Sequence, residues 1–278
     1  MPTRLTTIAL ACCLTLLLPA TAAWAKTWQA KQGGIAHIAA PLPPGRISVH
    51  ALGKAWPCKR LSNGKVLAWI GVDLATHPGS HALTWRITGP QGHSRTRRDT
   101  LDVVKGQFRI SRIKVKKRMA VFTRKELARI HADHESIKKC YVAHVDARPD
   151  IAFRQMPVQG VISSPFGARR YVNGQPRSPH TGVDIAAPEG TPIIAPLSGR
   201  ILLVHSMYLD GNTVVIGHGR GLVSVYCHLS KIDVKSGQWI KTGGKIGEVG
   251  QTGRTTGPNL HWGIRFENAR VSPLALLP

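Results

Sequence analysis

Residues 212–228 read NTVVIGHGRGLVSVYCH, and this stretch decides the fold class of the second half of the chain. Asn212–His218 and Leu222–His228 are rich in β-branched and apolar residues, and Gly219-Arg220-Gly221 between them is a turn signal. The stretch therefore predicts a hairpin of two buried strands. Similar strand-like segments occur at Gly199–His205, Lys245–Val249 and Leu260–Phe266. No helical period appears from residue 151 onward, so this half is predicted to be nearly all β.

The first half of the chain shows a second set of short strands, followed by one helix. Candidate strands are Ile47–Leu52, Lys65–Ile70, His81–Thr88 and Phe108–Val115. Turn signals rich in Gly, Pro and Asn separate them, and this regular spacing predicts a small β-sandwich. A capping box at Thr123–Glu126 is followed by apolar residues along one face, which predicts a helix over 123–141. Residues 149–160 look like a linker, so we predict a β-rich domain at 26–150 and a second domain at 151–278.

The first 25 residues have the features of a secretory signal peptide. Arg4 precedes an apolar stretch from Ile8 to Leu18, and Ala23-Trp24-Ala25 is a small-x-small cleavage site. The apolar stretch is too short to span a membrane, which needs about 20 residues. We therefore predict cleavage after Ala25, no stable membrane insertion, and a mature protein in the periplasm or cell envelope. A lipoprotein anchored through Cys12 or Cys13 is disfavoured because the apolar stretch continues past both.

The charge balance predicts an anionic partner. The 278 residues include 38 Lys and Arg against 14 Asp and Glu, a formal net charge of +24. Nucleic acid, anionic lipid and the carboxylate-rich bacterial cell wall all fit such a charge, but export makes nucleic acid a poor candidate. The densest basic stretch is 105–139. Such a stretch is usually a solvated surface, and binding to an anionic polymer of the cell wall is the alternative hypothesis. His131 and His134 in this stretch are expected to be surface residues.

Removal of the signal peptide would leave Cys58, Cys140 and Cys227 in the mature chain. An odd number of cysteines in an oxidising compartment suggests one disulfide and one free thiol. We predict a Cys58–Cys140 disulfide because both residues lie in the first half, and a buried core position for Cys227. A thiolate zinc site is not expected because no pair has C-x-x-C spacing.

A set of potential metal ligands lies in the second half. His180 and Asp184 are four residues apart, which is too far for side chains on one straight strand to share an ion. Thr181-Gly182-Val183 is a poor helix former, so the chain must bend there, and Gly182 supplies the freedom for the bend. Asn259 and His261 are two residues apart and therefore point to the same face of a strand.

The ordered motifs of residues 158–278 resemble the lysostaphin-type (LytM domain) zinc metallopeptidases, which cleave stem peptides or cross-links of peptidoglycan. The resemblance is carried by residues 162–169 (ISSPFGAR), 179–188 (PHTGVDIAAP), 218–219 (HG), 226–229 (YCHL) and 253–262 (GRTTGPNLHW). The first half more loosely resembles the β-rich domain that precedes some of these peptidases. The resemblance implies an antiparallel β domain of the duplicated-hybrid-motif type that follows the smaller β-rich domain in the chain.

The resemblance also implies the roles of individual residues. His180, Asp184 and His261 would bind one zinc ion, and His228 would be a catalytic histidine. A loop over 169–178 would border an open groove that receives an extended peptide. The usual H-x-H of the family is Asn259-Leu260-His261 here, so a second catalytic position holds an amide that cannot accept a proton.

Three functions follow from these observations. The first is an exported zinc metallo-endopeptidase that hydrolyses stem peptides or cross-links of peptidoglycan. The second is a catalytically inactive LytM domain that activates a murein amidase, although such relatives typically lose metal ligands that this chain keeps. The third, a purely adhesive wall-binding module, explains the charge and leaves the ligand set unexplained. Envelope regulatory proteins are possible further partners. The sequence does not identify the bond that is cleaved, and the family resemblance implies a D,D cross-link.

Overall fold

The computed structural model describes residues 25–114 and 122–278, so most of the predicted signal peptide and part of the basic stretch lie outside the described residues. The chain is mostly β, as predicted. The strands are β1 (Thr27–Lys31), β2 (Ile35–Pro41), β3 (Arg46–Ala51), β4 (Lys54–Trp56), β5 (Cys58–Arg60), β6 (Lys65–Gly71), β7 (Gly79–Thr88), β8 (Ser94–Val104), β9 (Ile110–Ile113), β10 (Val161–Ser164), β11 (Arg169–Val172), β12 (Gln175–Pro176), β13 (Gly182–Ala186), β14 (Pro192–Ile194), β15 (Gly199–Met207), β16 (Gly211–Gly219), β17 (Leu222–Ile232), β18 (Trp239–Ile240), β19 (Lys245–Val249), β20 (Asn259–Phe266) and β21 (Ala269–Val271). The helix α1 spans Arg124–Tyr141, and a 3₁₀ turn spans Pro273–Leu276.

Two sheets form the first half. The outer sheet has five strands in the order β1-β8-β7-β3-β4, and the short sheet has three in the order β2-β6-β5. Buried residues of both sheets, among them Ile38, Ala68, Leu83 and Trp85, belong to one apolar core. Two sheets that share one core confirm the prediction of a small β-sandwich in the first half.

The second half forms one large sheet of ten strands, whose main path is β10-β13-β20-β17-β16-β15-β18. Every pairing in the large sheet is antiparallel. The central strands β16 and β17 are buried along almost their whole length, which explains their continuous apolar sequences. The hairpin predicted from residues 212–228 is therefore confirmed.

The helix begins with the predicted capping box. The Thr123 hydroxyl accepts from the Glu126 backbone N–H, and the Glu126 carboxylate accepts from the Thr123 N–H. The helix packs against the large sheet rather than against the outer or short sheet, because Ile137 and Cys140 join a buried cluster of large-sheet residues. Asp133 fixes this position by accepting from the backbone N–H of Tyr208 at 2.7 Å.

The predicted Cys58–Cys140 disulfide is wrong. All three cysteines of the described chain are free thiols. Cys58 lies in β5 of the short sheet, whereas Cys140 and Cys227 lie in the buried cluster between the helix and the large sheet. The prediction failed because it assumed that the helix packs on the first half of the chain. Cys227 is 2% exposed, which confirms its prediction as a core residue.

Residues 149–160, the predicted linker, have no helix or strand, but they are not an exposed tether. Ile151 and Phe153 are almost fully buried, and the Phe153 ring lies 5.4 Å from that of Trp262 in the large sheet. An ion pair adds a further tie between the two halves, since the Arg270 Nε donates to the Asp73 carboxylate at 3.0 Å. The two halves thus share one continuous apolar core.

The predicted loop over 169–178 is largely a β-hairpin. Strands β11 and β12 pair across a turn at Asn173 and Gly174, whose φ angles of 51° and 80° are those of a tight hairpin turn. Strand β9 of the first half pairs in parallel with the outer edge of β11, which makes a small three-stranded sheet. Within the residues described, no helix combines the length and apolar character needed to cross a membrane.

Candidate metal centre

Strand register brings the predicted metal ligands together at one place on the large sheet. Asp184 in β13 lies directly opposite His261 in β20, and His261 lies directly opposite Cys227 in β17. Directly opposed residues share a face of the sheet, so Asp184 and His261 point to the same side. His180 precedes β13 and reaches the same point because the strand begins only at Gly182.

The three side chains converge on one small volume. The Nε2 of His180 lies 2.9 Å from the Asp184 Oδ1 and 2.9 Å from the His261 Nδ1. The His261 Nδ1 lies 2.8 Å from the same Asp184 oxygen. Among the residues that the structure describes, these form the one group of three metal-ligating side chains whose ligand atoms all lie within 4.8 Å of one another. His131 and His134 are not part of any such group, and both are exposed on the helix.

The donor set and its surroundings fit a zinc ion. Two imidazole nitrogens and one carboxylate oxygen are the ligand types of catalytic zinc sites with an open fourth position. The His180 Nδ1 donates to the Pro165 carbonyl at 3.0 Å, which fixes the tautomer that leaves Nε2 with its lone pair for a metal. His180 is 3% exposed, while Asp184 and His261 are partly exposed, so the cluster is accessible from one side.

Gly182 is required for this geometry for a reason that the sequence did not reveal. The sequence predicts that Gly182 allows the chain to bend, and in the structure Gly182 is the first residue of β13. Its essential contribution is space, because a Cβ at this position would lie 2.4 Å from the Trp262 carbonyl and 2.8 Å from the His261 Nε2. A side chain at residue 182 would therefore displace the imidazole of His261.

The histidines also determine the charge state of Asp184. Burial raises the pKa of this carboxyl group, but the close contacts of His180 and His261 with its oxygen outweigh the burial and hold the pKa well below its usual range. Asp184 is therefore an anion across the whole physiological pH range. An ionised carboxylate is the form that binds a divalent metal.

His228 lies beside the cluster and has an unusual backbone. Its ring centroid is 6.4 Å from that of His261, and its φ of 70° is rare for a residue with a side chain. The backbone N–H donates to the Asp210 carbonyl at 2.9 Å, and the Nδ1 donates to the Thr252 carbonyl at 2.9 Å. These two bonds hold the imidazole in place and leave Nε2 as its available nitrogen. Burial and the nearby His261 lower the pKa of His228, which favours the neutral base.

Asn259 lies two residues before His261 on β20, as predicted. Its amide NH₂ donates to the Gly257 carbonyl at 3.0 Å and to the Thr255 hydroxyl. Because the Gly257 carbonyl can only accept, this contact fixes which side of the amide is nitrogen. The Asn259 Oδ1 is then a buried acceptor with no hydrogen-bond donor among the described residues. The position offers a fixed acceptor where the family usually has an imidazole.

Sequence reasoning missed the backbone groups that hold the site. The motif that contains Pro165 resembles the family, yet nothing in the motif indicates that the Pro165 carbonyl accepts a hydrogen bond from His180. Thr252 was given no role, although its carbonyl holds His228 and its hydroxyl donates to the Leu229 carbonyl at 2.8 Å. Carbonyl acceptors carry no residue-type signal, so a single sequence does not reveal them.

Comparison with known proteins identifies the family. The profile described as Peptidase family M23 matches residues 178–273, which include all three clustered ligands and His228. A crystal structure of a Pseudomonas aeruginosa protein assigned to peptidase M23 superposes with a TM-score of 0.69 at 31% identity, over 88% of this chain and 93% of that one. The chain belongs to peptidase family M23. The resemblance stated from the sequence is thereby confirmed.

Two curated relatives align with less than half of the chain. Peptidoglycan DD-endopeptidase ShyA of Vibrio cholerae is 44% identical over 126 residues, 44% of this chain and 29% of that protein. DD-carboxypeptidase/endopeptidase Mpg of Neisseria meningitidis is 41% identical over 115 residues, 41% of this chain and 26% of that protein. The chain thus spans less than a third of the length of either relative.

Proposed function

We propose that this M23 chain is an exported zinc metallo-endopeptidase that hydrolyses peptide cross-links of bacterial peptidoglycan. The single observation that carries the proposal is the convergence of His180, Asp184 and His261 within a family of peptidases. One curated relative is named as a peptidoglycan DD-endopeptidase, and a second is named as a DD-carboxypeptidase/endopeptidase. A D,D cross-link is accordingly the bond that we propose as the substrate.

His180, Asp184 and His261 would hold one zinc ion per chain. Bound there, zinc would polarise the scissile carbonyl and lower the pKa of a coordinated water to about 7. The protein contributes the anionic Asp184 and the fixed tautomer of His180. The partial exposure of His261 and Asp184 would leave an approach for the substrate.

His228 and Asn259 would carry the proton transfer and the orientation of the reacting groups. The Nε2 of His228 can accept a proton from the attacking water or donate a hydrogen bond to the developing oxyanion, because Nδ1 is occupied by Thr252. The Asn259 Oδ1 can accept a hydrogen bond but never a proton. We therefore assign the acid–base role to His228 and a positioning role to Asn259.

The remaining parts of the proposal concern location and organisation. Residues 1–25 would direct export and be removed, which puts the mature chain in the periplasm or cell envelope. Residues 26–150 and 151–278 would be a β-rich domain and the peptidase domain. The excess of basic residues would favour peptidoglycan, whose stem peptides carry carboxylates, as the polymer partner.

An inactive activator of a murein amidase is the weaker alternative. Its only support is Asn259 in place of the usual histidine, whereas all three metal ligands are present and converge. An activator has no need of an ordered donor set. We therefore favour the enzyme.

Digestion of purified sacculi by the mature chain tests the proposal. We expect release of soluble fragments whose masses, after muramidase treatment, show cleaved cross-links rather than lost stem peptides. A chelator should abolish the release and added zinc should restore it. If the chain binds sacculi and zinc but releases nothing, and gains hydrolysis only as Asn259→His, the activator alternative is correct.

A further inference from the structure

A second pocket lies away from the metal centre, at the far edge of the large sheet. Its volume is about 520 Å³, and it opens between residues 147–154 and strand β18. Side chains that line it include Arg154, Ser198, Trp239 and Thr242. Nothing in the proposed mechanism uses these residues.

The pocket and the metal centre lie at different places along the large sheet. The metal centre is on the neighbouring strands β13 and β20, whereas Trp239 lies on β18, at the other end of the main strand path. Strands β17, β16 and β15 lie between the two places. A ligand in this pocket would therefore anchor the protein without entering the catalytic groove.

Trp239 is the most informative side chain of the pocket. It is 50% exposed, although tryptophan is among the most buried residue types on average. Its strand neighbour is Arg200, which lies directly opposite on β15 and on the same face. An exposed indole beside hydrogen-bonding groups is a typical stacking surface for a ring with apolar faces and polar edges.

The polar groups around Trp239 are ordered and predominantly cationic. Ser198 and Thr242 are fixed by reciprocal bonds, in which each backbone N–H donates to the other residue's hydroxyl oxygen at 2.9 Å. Asp150 on the rim is neutralised by Lys59. Arg154, which lines the pocket, and Arg200, which lies opposite Trp239, are exposed and form no ion pair within the described part of the chain. The pocket therefore presents uncompensated positive charge next to an aromatic face.

We propose that this pocket binds the glycan strand of peptidoglycan at an amino sugar that carries a free carboxylate. The pyranose ring would stack on Trp239, and its hydroxyl and amide groups would meet Ser198 and Thr242. Arg154 would pair with the carboxylate, which is free on sugars from which the stem peptide has been removed. The inference rests on the proposed substrate polymer but concerns a separate site.

Binding of two soluble glycans to the zinc-loaded chain tests the proposal. One is a peptide-free glycan strand with free carboxylates, and the other is a neutral oligomer of N-acetylglucosamine. Trp239→Ala should weaken binding of both by about tenfold or more, as loss of a central tryptophan contact does. Arg154→Ala should weaken binding of the carboxylated glycan by about tenfold and leave the neutral oligomer unchanged.

Two controls make the outcome decisive. Arg86→Ala removes an exposed cation from the outer sheet and should leave both affinities unchanged. Hydrolysis of a small soluble cross-linked muropeptide should be the same in Trp239→Ala as in the wild type, which separates this site from the proposed peptidase activity. Equal losses for Arg86→Ala and Arg154→Ala, unchanged affinities in Trp239→Ala, or competition by an acidic peptide rather than by glycan would overturn the proposal.

Discussion

Two groups of side chains that contain histidine lie on opposite faces of the large sheet, and their surroundings differ in kind. His180 and His261 meet an ionised carboxylate at the accessible end of β13 and β20. His218 is completely buried on the other face, where its nitrogens contact the Ser198 carbonyl at 2.9 Å and the Ser224 hydroxyl at 2.7 Å. Both groups are hydrogen-bonded, but only the first combines negative charge, convergent donors and access.

This difference separates a site from a structural network. Burial lowers the pKa of His218 to about 4, so this imidazole stays neutral and serves the packing between the sheet and residues 147–154. At the other group, Asp184 stays charged and can neutralise a cation. His218-Gly219 is one of the motifs that resemble the family, yet its histidine takes part in no metal cluster among the residues described. Histidine content alone therefore does not locate the chemistry.

The largest effect is expected from Asp184→Asn. The substitution removes the only negative charge of the candidate metal centre, so zinc affinity and hydrolysis of a cross-linked muropeptide should fall to the detection limit. Asp133→Asn is the matched control, because Asp133 also contacts a histidine, His205 at 3.3 Å, on the helix side of the sheet. Folded Asp133→Asn should retain zinc and turnover. Equal loss of zinc in both variants would mean that Asp184 has no special role in binding the metal.

The second-largest effect on turnover is expected from His228→Ala. A positioned acid–base group contributes about 10²–10⁴-fold to the rate, and the Thr252 carbonyl holds this imidazole in one orientation. His228→Ala should therefore lower kcat by at least about 10²-fold with zinc content unchanged. Turnover measured alongside metal analysis checks both parts, and a rate within a few-fold of the wild type would remove His228 from the mechanism.

The structural histidine predicts a pH dependence of stability. His218 stays neutral in the folded protein down to a pKa of about 4, whereas in the unfolded chain it binds a proton near its ordinary value of 6.5. Acid therefore favours the unfolded chain, and the folded state should lose about 3 kcal/mol through this group as pH falls from 6.5 to 4. Denaturant titrations across this range should show a smaller loss in His218→Gln. Identical pH profiles of the free energy of unfolding would contradict the assignment.

The smallest effect is expected at Asn259. Its Oδ1 can orient a water or substrate group, so Asn259→Ala should lower turnover by about tenfold, less than His228→Ala does. Asn259→His restores a second imidazole and should preserve activity or raise it. Steady-state rates of the two variants on the same muropeptide decide the point, and a larger loss for Asn259→Ala than for His228→Ala would reverse the proposed roles.

Local patterns in the sequence were sufficient for much of the fold. The capping box at Thr123 and the apolar runs of β16 and β17 depend on neighbouring residues, and the structure has each of these elements where the pattern predicts it. Strand β8 was not predicted because Ser94–Val104 is rich in charge. It forms because its outward side chains are solvated while Leu101 and Val103 are buried between β1 and β7.

Long-range packing was the part that the sequence could not supply. The pairing of β9 with β11 joins segments about sixty positions apart, and no periodicity indicates it. The docking of the helix on the large sheet separates Cys58 from Cys140 and so removes the predicted disulfide. The family motifs predicted the side chains of the candidate site. They did not predict the space that Gly182 leaves for His261 or the contact of the Pro165 carbonyl with His180, because both depend on the folded arrangement of the strands.

Zinc content of the purified mature chain, measured beside His261→Ala, tests the central claim most directly. His261 lies in register with Asp184 and contributes one of the three convergent donor atoms. We predict about one zinc per chain in the wild type and none in His261→Ala, with both proteins folded by circular dichroism. A full equivalent of zinc in His261→Ala would show that the metal binds elsewhere and would contradict the account.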